Sequence, residues 1–334
     1  MSHTFFAMIP PLSRGVLILA LALGMTAALP SLSCARKAAA KPARQEAAQP
    51  QEPTSIWQPL ITRLAAEGQD KAALKRLFAT LPEHITPAPM GRKMLELYRS
   101  KFMPAKPDMQ QPRPKYYKGT VTQANAEKCR AFLQQHETAF AEAEETFGVP
   151  RHVAVSLLFV ETRLGANVGR VSALYTLASM ALSTTPDMLG QWLGKLPEDY
   201  QTNLPWMREI APKRAEWAYK ELRALTAHMM RDQIAPESIP GSIYGAIGMC
   251  QFMPSNIALY GADGNHDGHV DLYTPADAIA SLSRYLKEHG WKPGITREEQ
   301  HAVLKTYNKS DTYAATILAL SDVVLGGPVP PDAE

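Results

Sequence analysis

The feature of this 334-residue sequence that most restricts its fold is one carboxylate within an apolar segment, GVPRHVAVSLLFVETRLG, at positions 148–165. Pro150 suits the first position of a helix, because the N–H that it lacks would be unpaired there, and Gly165 suits the residue that ends one. Apolar residues recur at spacings of four, three and four, at Val153, Leu157, Val160 and Leu164. The pattern predicts a helix with one buried stripe, and Glu161 borders that stripe.

The position of Glu161 has a consequence for its protonation. Apolar neighbours reduce the solvation of a charged carboxylate, so its pKa rises and the group stays protonated near neutral pH. A protonated carboxyl group of this kind can donate its proton to a glycosidic oxygen. The alternative is an ordinary, partly exposed glutamate that pairs with Arg163 or another basic residue.

A second segment, GSIYGAIGMCQFMP at 241–254, combines glycines with side chains that suit a sugar ligand. Glycines let the backbone approach a bulky ligand closely, and the Gln251 amide offers both a donor and an acceptor to sugar groups. With Ser242 and Phe252, the segment predicts one side of a carbohydrate groove. The alternative is a tight turn that leads into a helix capped at Ser255, in which Gln251 only satisfies backbone groups.

The third segment, DGNHDGHVDLYTPAD at 263–277, resembles the first half of a calcium-binding loop of the EF-hand type. Positions one, three, five and seven are Asp263, Asn265, Asp267 and the carbonyl of His269. Thr274 replaces the usual glutamate at position twelve, so Asp277 is the candidate that completes a structural Ca²⁺ site. Alternatively, Thr274 and Asp277 form a variant of the helix capping box without a metal.

The amino terminus predicts export. Arg14 precedes an uncharged run rich in Leu and Ala, which predicts a signal peptide over residues 1–34. The end of this leader is similar to a lipoprotein signal in which Cys34 carries the lipid, and cleavage by an ordinary signal peptidase is the alternative. Residues 35–55 predict a flexible tether. We expect an outer-membrane lipoprotein on the periplasmic side, or otherwise a soluble periplasmic protein.

Net charge and cysteine content bear on which partners and which disulfide bonds the chain can have. The net charge of +3 comes from the leader and the tether, so the rest of the chain is near neutral and gives no support for a nucleic-acid partner. We predict that Cys129 and Cys250 are buried and unpaired, although their spacing leaves a disulfide open. We expect a monomer without an organic cofactor.

The apolar spacing of the remaining chain is mainly helical. Residues 56–80 predict two short amphipathic helices around Gly68, and residues 124–147 predict a further helical region. The proline-rich residues 101–121 predict an irregular connection between them.

Five successive motifs resemble the lytic murein transglycosylase B family, glycoside hydrolase family 103, over about residues 56–322. They are GVPRHVAVSLLFVETRLG, GSIYGAIGMCQFMPSN, the calcium-type loop, ADAIASLSRYLKEHGW and TYNKSDTY. The resemblance implies an α+β, predominantly α-helical fold over 56–334, with an N-terminal helical region, a lysozyme-like core at about 125–322 and an EF-hand-like calcium loop. It also implies that peptidoglycan is cleaved between N-acetylmuramic acid and N-acetylglucosamine without water, which leaves a 1,6-anhydromuramic end.

The resemblance assigns roles by motif position. Glu161 is implied to be the sole acid and base, which protonates the leaving oxygen and then takes a proton from the muramoyl O6. Ordinary glycosidases use a second carboxylate, and the resemblance assigns that role to no residue of these motifs. The residues implied to bind or shape the substrate are Ser242, Gln251, Phe252, Tyr285, Tyr307, Asn308 and Tyr313, and Lys213 and Arg214 match a basic pair that faces the peptide stems.

The sequence departs from the family pattern at two places. Leu164 stands where the family usually has Trp, and residues 183–208 look like an insertion. Trp192 and Trp206 in this insertion either extend the sugar-binding surface or pack within a helical hairpin, and we expect packing. Two rival functions stay open, namely a lysozyme-type hydrolase and an inactive peptidoglycan-binding lipoprotein.

Overall fold

The computed structural model describes residues 55–103, 114–236 and 239–333, and these residues are predominantly α-helical. The helices are α1 Gln58–Ala66, α2 Lys71–Phe78, α3 Ala88–Phe102, α4 Gln123–Gln135, α5 Glu137–Phe147, α6 Arg151–Thr162, α7 Ala173–Leu182, α8 Leu204–Arg231, α9 Pro254–Tyr260, α10 Pro275–Glu288, α11 Arg297–Tyr307 and α12 Asp311–Val324. Short 3-10 helices span Pro186–Lys195, Glu198–Asn203 and Pro331–Ala333. The predicted signal peptide, Cys34 and the tether up to residue 54 lie outside the described residues.

Many helices begin where a short polar side chain satisfies backbone N–H groups of the first turn. These N-terminal caps are Asp70, Thr122, Ser172, Thr296 and Ser310. At α11 the cap is a full capping box, because the Glu299 carboxylate also accepts the backbone N–H of Thr296. None of the described helices combines the length and the apolar character that a membrane span requires.

Helix α6 lies inside the core. Helices α4, α5, α10 and α12 pack around it, and every residue from 153 to 159 is buried. The sequence predicted one buried stripe, whereas several neighbouring helices together cover most of the circumference of α6. Glu161 is in the last turn of α6, where the neighbouring helices no longer bury every side chain.

Described β-structure is limited to a small sheet and two bridges. Strand β1, Val171–Ser172, pairs antiparallel with β2, Pro240–Gly241. Gly241 also pairs with Ile247, and Ile247 pairs with Phe252, so residues 241–252 fold back on themselves. We call residues 241–252 the glycine hairpin.

The N-terminal helices and the insertion pack together on one side of the core. Helix α3 contacts α7, α8 and the 3-10 helix Pro186–Lys195. Trp206 meets Phe102 of α3 edge to face at 5.1 Å, and Trp192 is 9% exposed. Both tryptophans therefore pack, although on α3 and not within a helical hairpin: Trp192 extends from the 3-10 helix Pro186–Lys195 and Trp206 from the first turn of α8.

Both described cysteines, Cys129 and Cys250, are buried and unpaired, which confirms that prediction.

Candidate active site

Glu161 is partly exposed at the end of α6 and has a hydrogen bond to a residue far along the chain. The Tyr313 hydroxyl of α12 donates to Glu161 Oε1 at 2.5 Å. Burial raises the pKa of Glu161 to about 7, and the Tyr313 bond opposes this rise because it stabilises the carboxylate. The predicted alternative of a pair with Arg163 is not formed, since that guanidinium lies 4.5 Å above the Phe159 ring and donates to Thr120.

The groups around Glu161 stay neutral at physiological pH. Burial raises the pKa of Tyr313 and Tyr307 well above the usual tyrosine value, and burial raises the pKa of the Cys250 thiol to about 12. The negative charge of Glu161 adds to each of these shifts. The carboxyl group is therefore surrounded by neutral hydrogen-bonding groups.

The backbone reverses directly after α6 through three consecutive left-handed residues. The φ angles are 54° at Arg163, 61° at Leu164 and 91° at Gly165. Two of these residues are not glycine, so the turn is strained and must be held by its surroundings. Thr162 holds it, because its buried hydroxyl donates to the Met249 carbonyl at 2.7 Å and accepts the Gly165 N–H at 3.0 Å. This link between α6 and the glycine hairpin was not predicted from the sequence.

Ser242 shapes the tip of the glycine hairpin. Its hydroxyl accepts the N–H of Tyr244 at 3.3 Å and the N–H of Ala246 at 3.0 Å, and its carbonyl accepts the N–H of Gly245 at 3.0 Å. The hydroxyl proton is not needed for these bonds, so Ser242 keeps a donor.

Gln251 lies at the base of the hairpin with a left-handed backbone, φ 52°. Its side-chain nitrogen donates to the carbonyls of Val168 at 3.2 Å and Gly248 at 2.9 Å. The predicted alternative, satisfaction of backbone groups, is therefore present. Both bonds use the nitrogen, which leaves the amide oxygen as the acceptor that a ligand can use.

Aromatic side chains of α10 and α11 pack against Phe252 at the end of the glycine hairpin. Phe252 is 1% exposed and lies 5.7 Å from Tyr285 and 5.9 Å from Tyr307, measured between ring centroids. Tyr307 donates to the Cys250 carbonyl at 2.5 Å and stacks on Tyr313 at 6.4 Å. This aromatic cluster thus joins the hairpin to the residue that bonds Glu161.

The remaining predicted aromatic and amide residues differ in exposure. Tyr285 is 7% exposed and donates to the Thr306 carbonyl at 2.9 Å, so it belongs to the buried cluster. Asn308 is exposed directly after α11.

Helix α8 supplies a buried carboxylate that the sequence analysis did not identify. Glu221 is 6% exposed and accepts the backbone N–H of Ser255 at 2.9 Å and its hydroxyl at 3.0 Å. It therefore caps α9, which begins two residues after the hairpin. The sequence suggested Ser255 itself as the cap, and only the tertiary fold brings Glu221 to this position.

The predicted basic pair lies elsewhere on α8. Lys213 is exposed and pairs with Glu209 at 2.6 Å, and Arg214 is partly buried. Within the ranges that the structure describes, no hydrogen bond or ion pair connects this pair to Glu161 or to the hairpin.

The calcium-type loop is folded around its own side chains. Asp263 accepts the N–H groups of Asp267 and Gly268 at 3.1 and 2.8 Å, and the Asn265 amide donates to Asp267 Oδ2 at 2.8 Å. His269 approaches Asp232, near the end of α8, at 3.7 Å. Across the described part of the chain, no three His, Cys, Asp or Glu side chains are grouped as a metal site.

Asp277 connects this loop to α10. Its buried carboxylate accepts N–H groups from Gly264, Asn265 and Asp271 at 2.9, 3.3 and 2.6 Å. Burial nevertheless raises its pKa, and the negative charge of Asp263 adds to the shift. The capping-box alternative is wrong, because the Thr274 side chain makes no capping bond to α10.

Comparisons with known proteins agree with this fold. A family model described as the transglycosylase SLT domain matches residues 53–300. The membrane-bound lytic murein transglycosylase B of Escherichia coli (strain K12) is 32% identical over 180 residues. That alignment covers 54% of this chain and 42% of the relative, so the chain matches under half of the relative's length.

Several solved structures share the architecture. The soluble lytic transglycosylase SltB1 from Pseudomonas aeruginosa has a TM-score of 0.60 at 22% identity, over 80% of this chain and 97% of that one. SltB3 from Pseudomonas aeruginosa in complex with NAG-anhNAM-pentapeptide has a TM-score of 0.61 at 20% identity, over 81% and 79%. Escherichia coli Slt35 in complex with calcium has a TM-score of 0.56 at 22% identity, over 80% and 92%.

Proposed function

From the premise that this chain belongs to the transglycosylase SLT domain family, we propose that it is a lytic transglycosylase of peptidoglycan. It cleaves the β-1,4 bond between N-acetylmuramic acid and N-acetylglucosamine and leaves a 1,6-anhydromuramic end. The observation that carries this proposal is the Glu161 carboxyl group, which is held by Tyr313 with a pKa raised to about 7.

Glu161 acts first as an acid and then as a base. Its protonated form donates to the glycosidic oxygen as the bond breaks, and burial keeps enough of this form present at neutral pH. The resulting carboxylate then accepts the proton of the muramoyl O6 as this oxygen closes on C1. The N-acetyl group of the substrate stabilises the positive charge at C1, which replaces a second carboxylate.

The glycine hairpin and the helices near it bind the glycan strand in a lysozyme-like core. Ser242 offers its hydroxyl proton and Gln251 its amide oxygen to the muramoyl residue, and Asn308 contributes an exposed amide. Phe252, Tyr285, Tyr307 and Tyr313 give the site its shape, and Lys213 and Arg214 interact with the peptide stems. The low exposure of Phe252 and Tyr285 favours a supporting role for these two rings.

A structural Ca²⁺ ion in the EF-hand-like loop is a further part of the proposal. The ligands are Asp263, Asn265, Asp267, the carbonyl of His269, and Asp277. All are hard oxygen donors, which Ca²⁺ prefers. The Asp277 carboxylate, whose pKa is raised by burial and further by the charge of Asp263, also favours a bound cation. The solved structure of Slt35 contains calcium.

The proposed cellular location is based on the amino-terminal leader. We propose a signal peptide at 1–34, lipidation of Cys34, and the tether 35–55, which together place the 56–334 region on the periplasmic side of the outer membrane. One relative is described as membrane-bound.

Mass spectrometry of digested sacculi tests the activity. Purified protein should release muropeptides with anhydromuramic ends, which are lighter by one water than the products of a lysozyme-type hydrolase. Reducing ends would show hydrolysis instead, and intact sacculi after long incubation would support an inactive binding protein.

A further inference from the structure

Helix α3 and the 3-10 helix Pro186–Lys195 place cations around one indole ring, outside the site described above. The guanidinium carbon of Arg92 lies 5.5 Å from the Trp192 ring centroid, and Lys195 Nζ lies 3.9 Å from it. A Cβ on Gly91 would come within 2.2 Å of Trp192 Cγ, so the ring packs directly on the backbone of α3. We call Arg92, Trp192 and Lys195 the tryptophan platform.

The two cations of the platform are accessible to solvent. Arg92 and Lys195 are exposed, and among the described residues neither forms an ion pair. A cation that lies on a ring face keeps its N–H donors available to a second ligand. A guanidinium and an ammonium that contact the same indole ring both suit a carboxylate ligand.

The platform adjoins the tip of the glycine hairpin. Tyr244 at this tip donates from its hydroxyl to Glu96 of α3, and Lys93 pairs with Glu96 at 3.0 Å. Lys93 Nζ also lies 4.3 Å from the centroid of the Tyr244 ring. Arg92 precedes Glu96 by four residues on α3, so the two side chains lie on the same face of the helix and Arg92 is one turn from this contact.

The opposite end of the hairpin adjoins Glu161. The Met249 carbonyl is bonded by Thr162, the residue after Glu161. Ser242, which is proposed to bind the muramoyl residue, lies two residues before Tyr244, and two residues span at most about 7 Å. A peptide of three to five residues reaches about 10–17 Å when extended. A peptide attached to the muramoyl residue at Ser242 thus has the length to pass Tyr244 and reach Arg92, one helical turn from Glu96.

We infer that the tryptophan platform binds carboxylates of the peptide stems of peptidoglycan through Arg92 and Lys195. This inference rests on the proposed function for the substrate class, and it makes the insertion 183–208 a determinant of substrate choice. The platform discriminates between stem-bearing and peptide-free glycan, whereas the bond that is cleaved lies at Glu161.

The test is a pair of binding titrations with the full chain. Soluble N-acetylglucosaminyl-N-acetylmuramoyl pentapeptide is compared with the same disaccharide without peptide, by calorimetry. The double variant Arg92→Gln/Lys195→Gln should weaken binding of the peptide-bearing ligand about tenfold. Binding of the peptide-free ligand should not change. Added salt should reduce the wild-type preference, because the contacts are exposed charges.

Two matched variants make the result decisive. Lys128→Gln removes an exposed charge from α4 and should leave both affinities unchanged. Lys213→Gln/Arg214→Gln removes the basic pair of α8. If only the α8 variant lost affinity for the peptide-bearing ligand, or if the platform variant bound both ligands as the wild type does, the inference would be overturned. Circular dichroism checks that each variant is folded.

The cleavage reaction is measured separately on stem-bearing sacculi and on sacculi stripped of peptide by an amidase. Absence of anhydromuramic products from both would refute the proposed function, while the titrations would still decide the role of the platform. With an active enzyme, the platform variant should raise KM about tenfold on stem-bearing strands only, with kcat unchanged.

Discussion

At the scale of single residues, the site depends on the carboxyl group of Glu161, because two features of its surroundings have opposite effects on its pKa. Burial favours the protonated form of Glu161, and the Tyr313 hydroxyl favours the charged form. The balance leaves the pKa at about 7, where both forms are accessible at neutral pH. This suits a group that must give up a proton and then recover one.

Replacement of Glu161 by Gln should remove the acid and base while it preserves the shape of the side chain. We expect a loss of about 10²–10⁴-fold in kcat, the usual contribution of general acid–base catalysis. The measurement is the release of anhydromuropeptides from sacculi, with binding to sacculi as the control. Turnover within tenfold of the wild type would refute the assigned role.

The same variant should change the pH dependence of stability. The pKa of Glu161 is raised from 4.5 to about 7 in the folded chain, so stability is fully present below pH 4.5 and decreases as the pH rises towards 7. The loss is at most roughly 3 kcal/mol, reduced by the partial exposure of the group. Glu161→Gln should therefore be more stable than the wild type at pH 8 but not at pH 4, as measured by urea unfolding.

Removal of the Tyr313 hydroxyl should shift the pH profile of the reaction. In Tyr313→Phe the carboxylate loses a stabilising donor, so the pKa of Glu161 rises further and the alkaline fall of kcat/KM moves to higher pH. Tyr307→Phe is the control, because its hydroxyl bonds the Cys250 carbonyl instead of Glu161. A shift of the Tyr313→Phe profile towards acid would contradict this account.

At the scale of elements, the glycine hairpin is fixed at several points by different helices. Thr162 and Tyr307 bond the carbonyls of Met249 and Cys250, and the backbone N–H of Met249 donates to the Leu272 carbonyl at 2.8 Å. Tyr244 is held at the tip by Glu96. The hairpin contains little regular β-structure, so these contacts define its position.

Gly248→Ala should destabilise the chain more than an ordinary glycine substitution. Gly248 has φ 75°, and a Cβ there would lie 2.3 Å from Leu272 Cβ and 2.7 Å from its carbonyl oxygen. Gly294→Ala is the matched control, since Gly294 has φ 81° and its Cβ would meet nothing within 4 Å. Urea unfolding should give a loss of about 1–2 kcal/mol for the control and roughly 1–3 kcal/mol more for Gly248→Ala.

The elements differ in how far the sequence could predict them. Pro150, the run of apolar residues and the left-handed glycines are local signals, so α6 and the turns of the hairpin were foreseeable. The Tyr313 bond to Glu161 joins residues 152 positions apart, and its partners follow only from the packing of α12 on α6. For the same reason, the sequence suggested a ligand role for Ser242 and Gln251 but could not show that both also bond the hairpin backbone.

At the scale of the molecule, the described residues from 55 to 333 form one compact unit in which the N-terminal helices are tied to α8. Arg63 binds Glu216 through two bonds of 2.8 and 2.9 Å, and Glu67 accepts from Tyr219 and Arg223. Exposed ion pairs contribute little one at a time, and the N-terminal helices also pack on α7, where the buried Trp57 ring meets Tyr175 edge to face at 6.1 Å.

Calcium should stabilise the whole unit, because the loop and α10 are joined through Asp277. At a concentration of Ca²⁺ about 100 times Kd, binding adds about 2.7 kcal/mol, which raises Tm by about 5 °C or more. Thermal unfolding in Ca²⁺ and in chelator measures the effect, and Asp263→Asn should reduce it. Equal melting temperatures in both buffers would count against an occupied site.

The bond between Tyr313 and Glu161 also orders events during synthesis. A ribosome delivers position 161 long before position 313, so a nascent chain holds the acid while its tuning partner is still absent. The protonation balance of the proposed acid is therefore set only after α12 has been synthesised and has packed on α6.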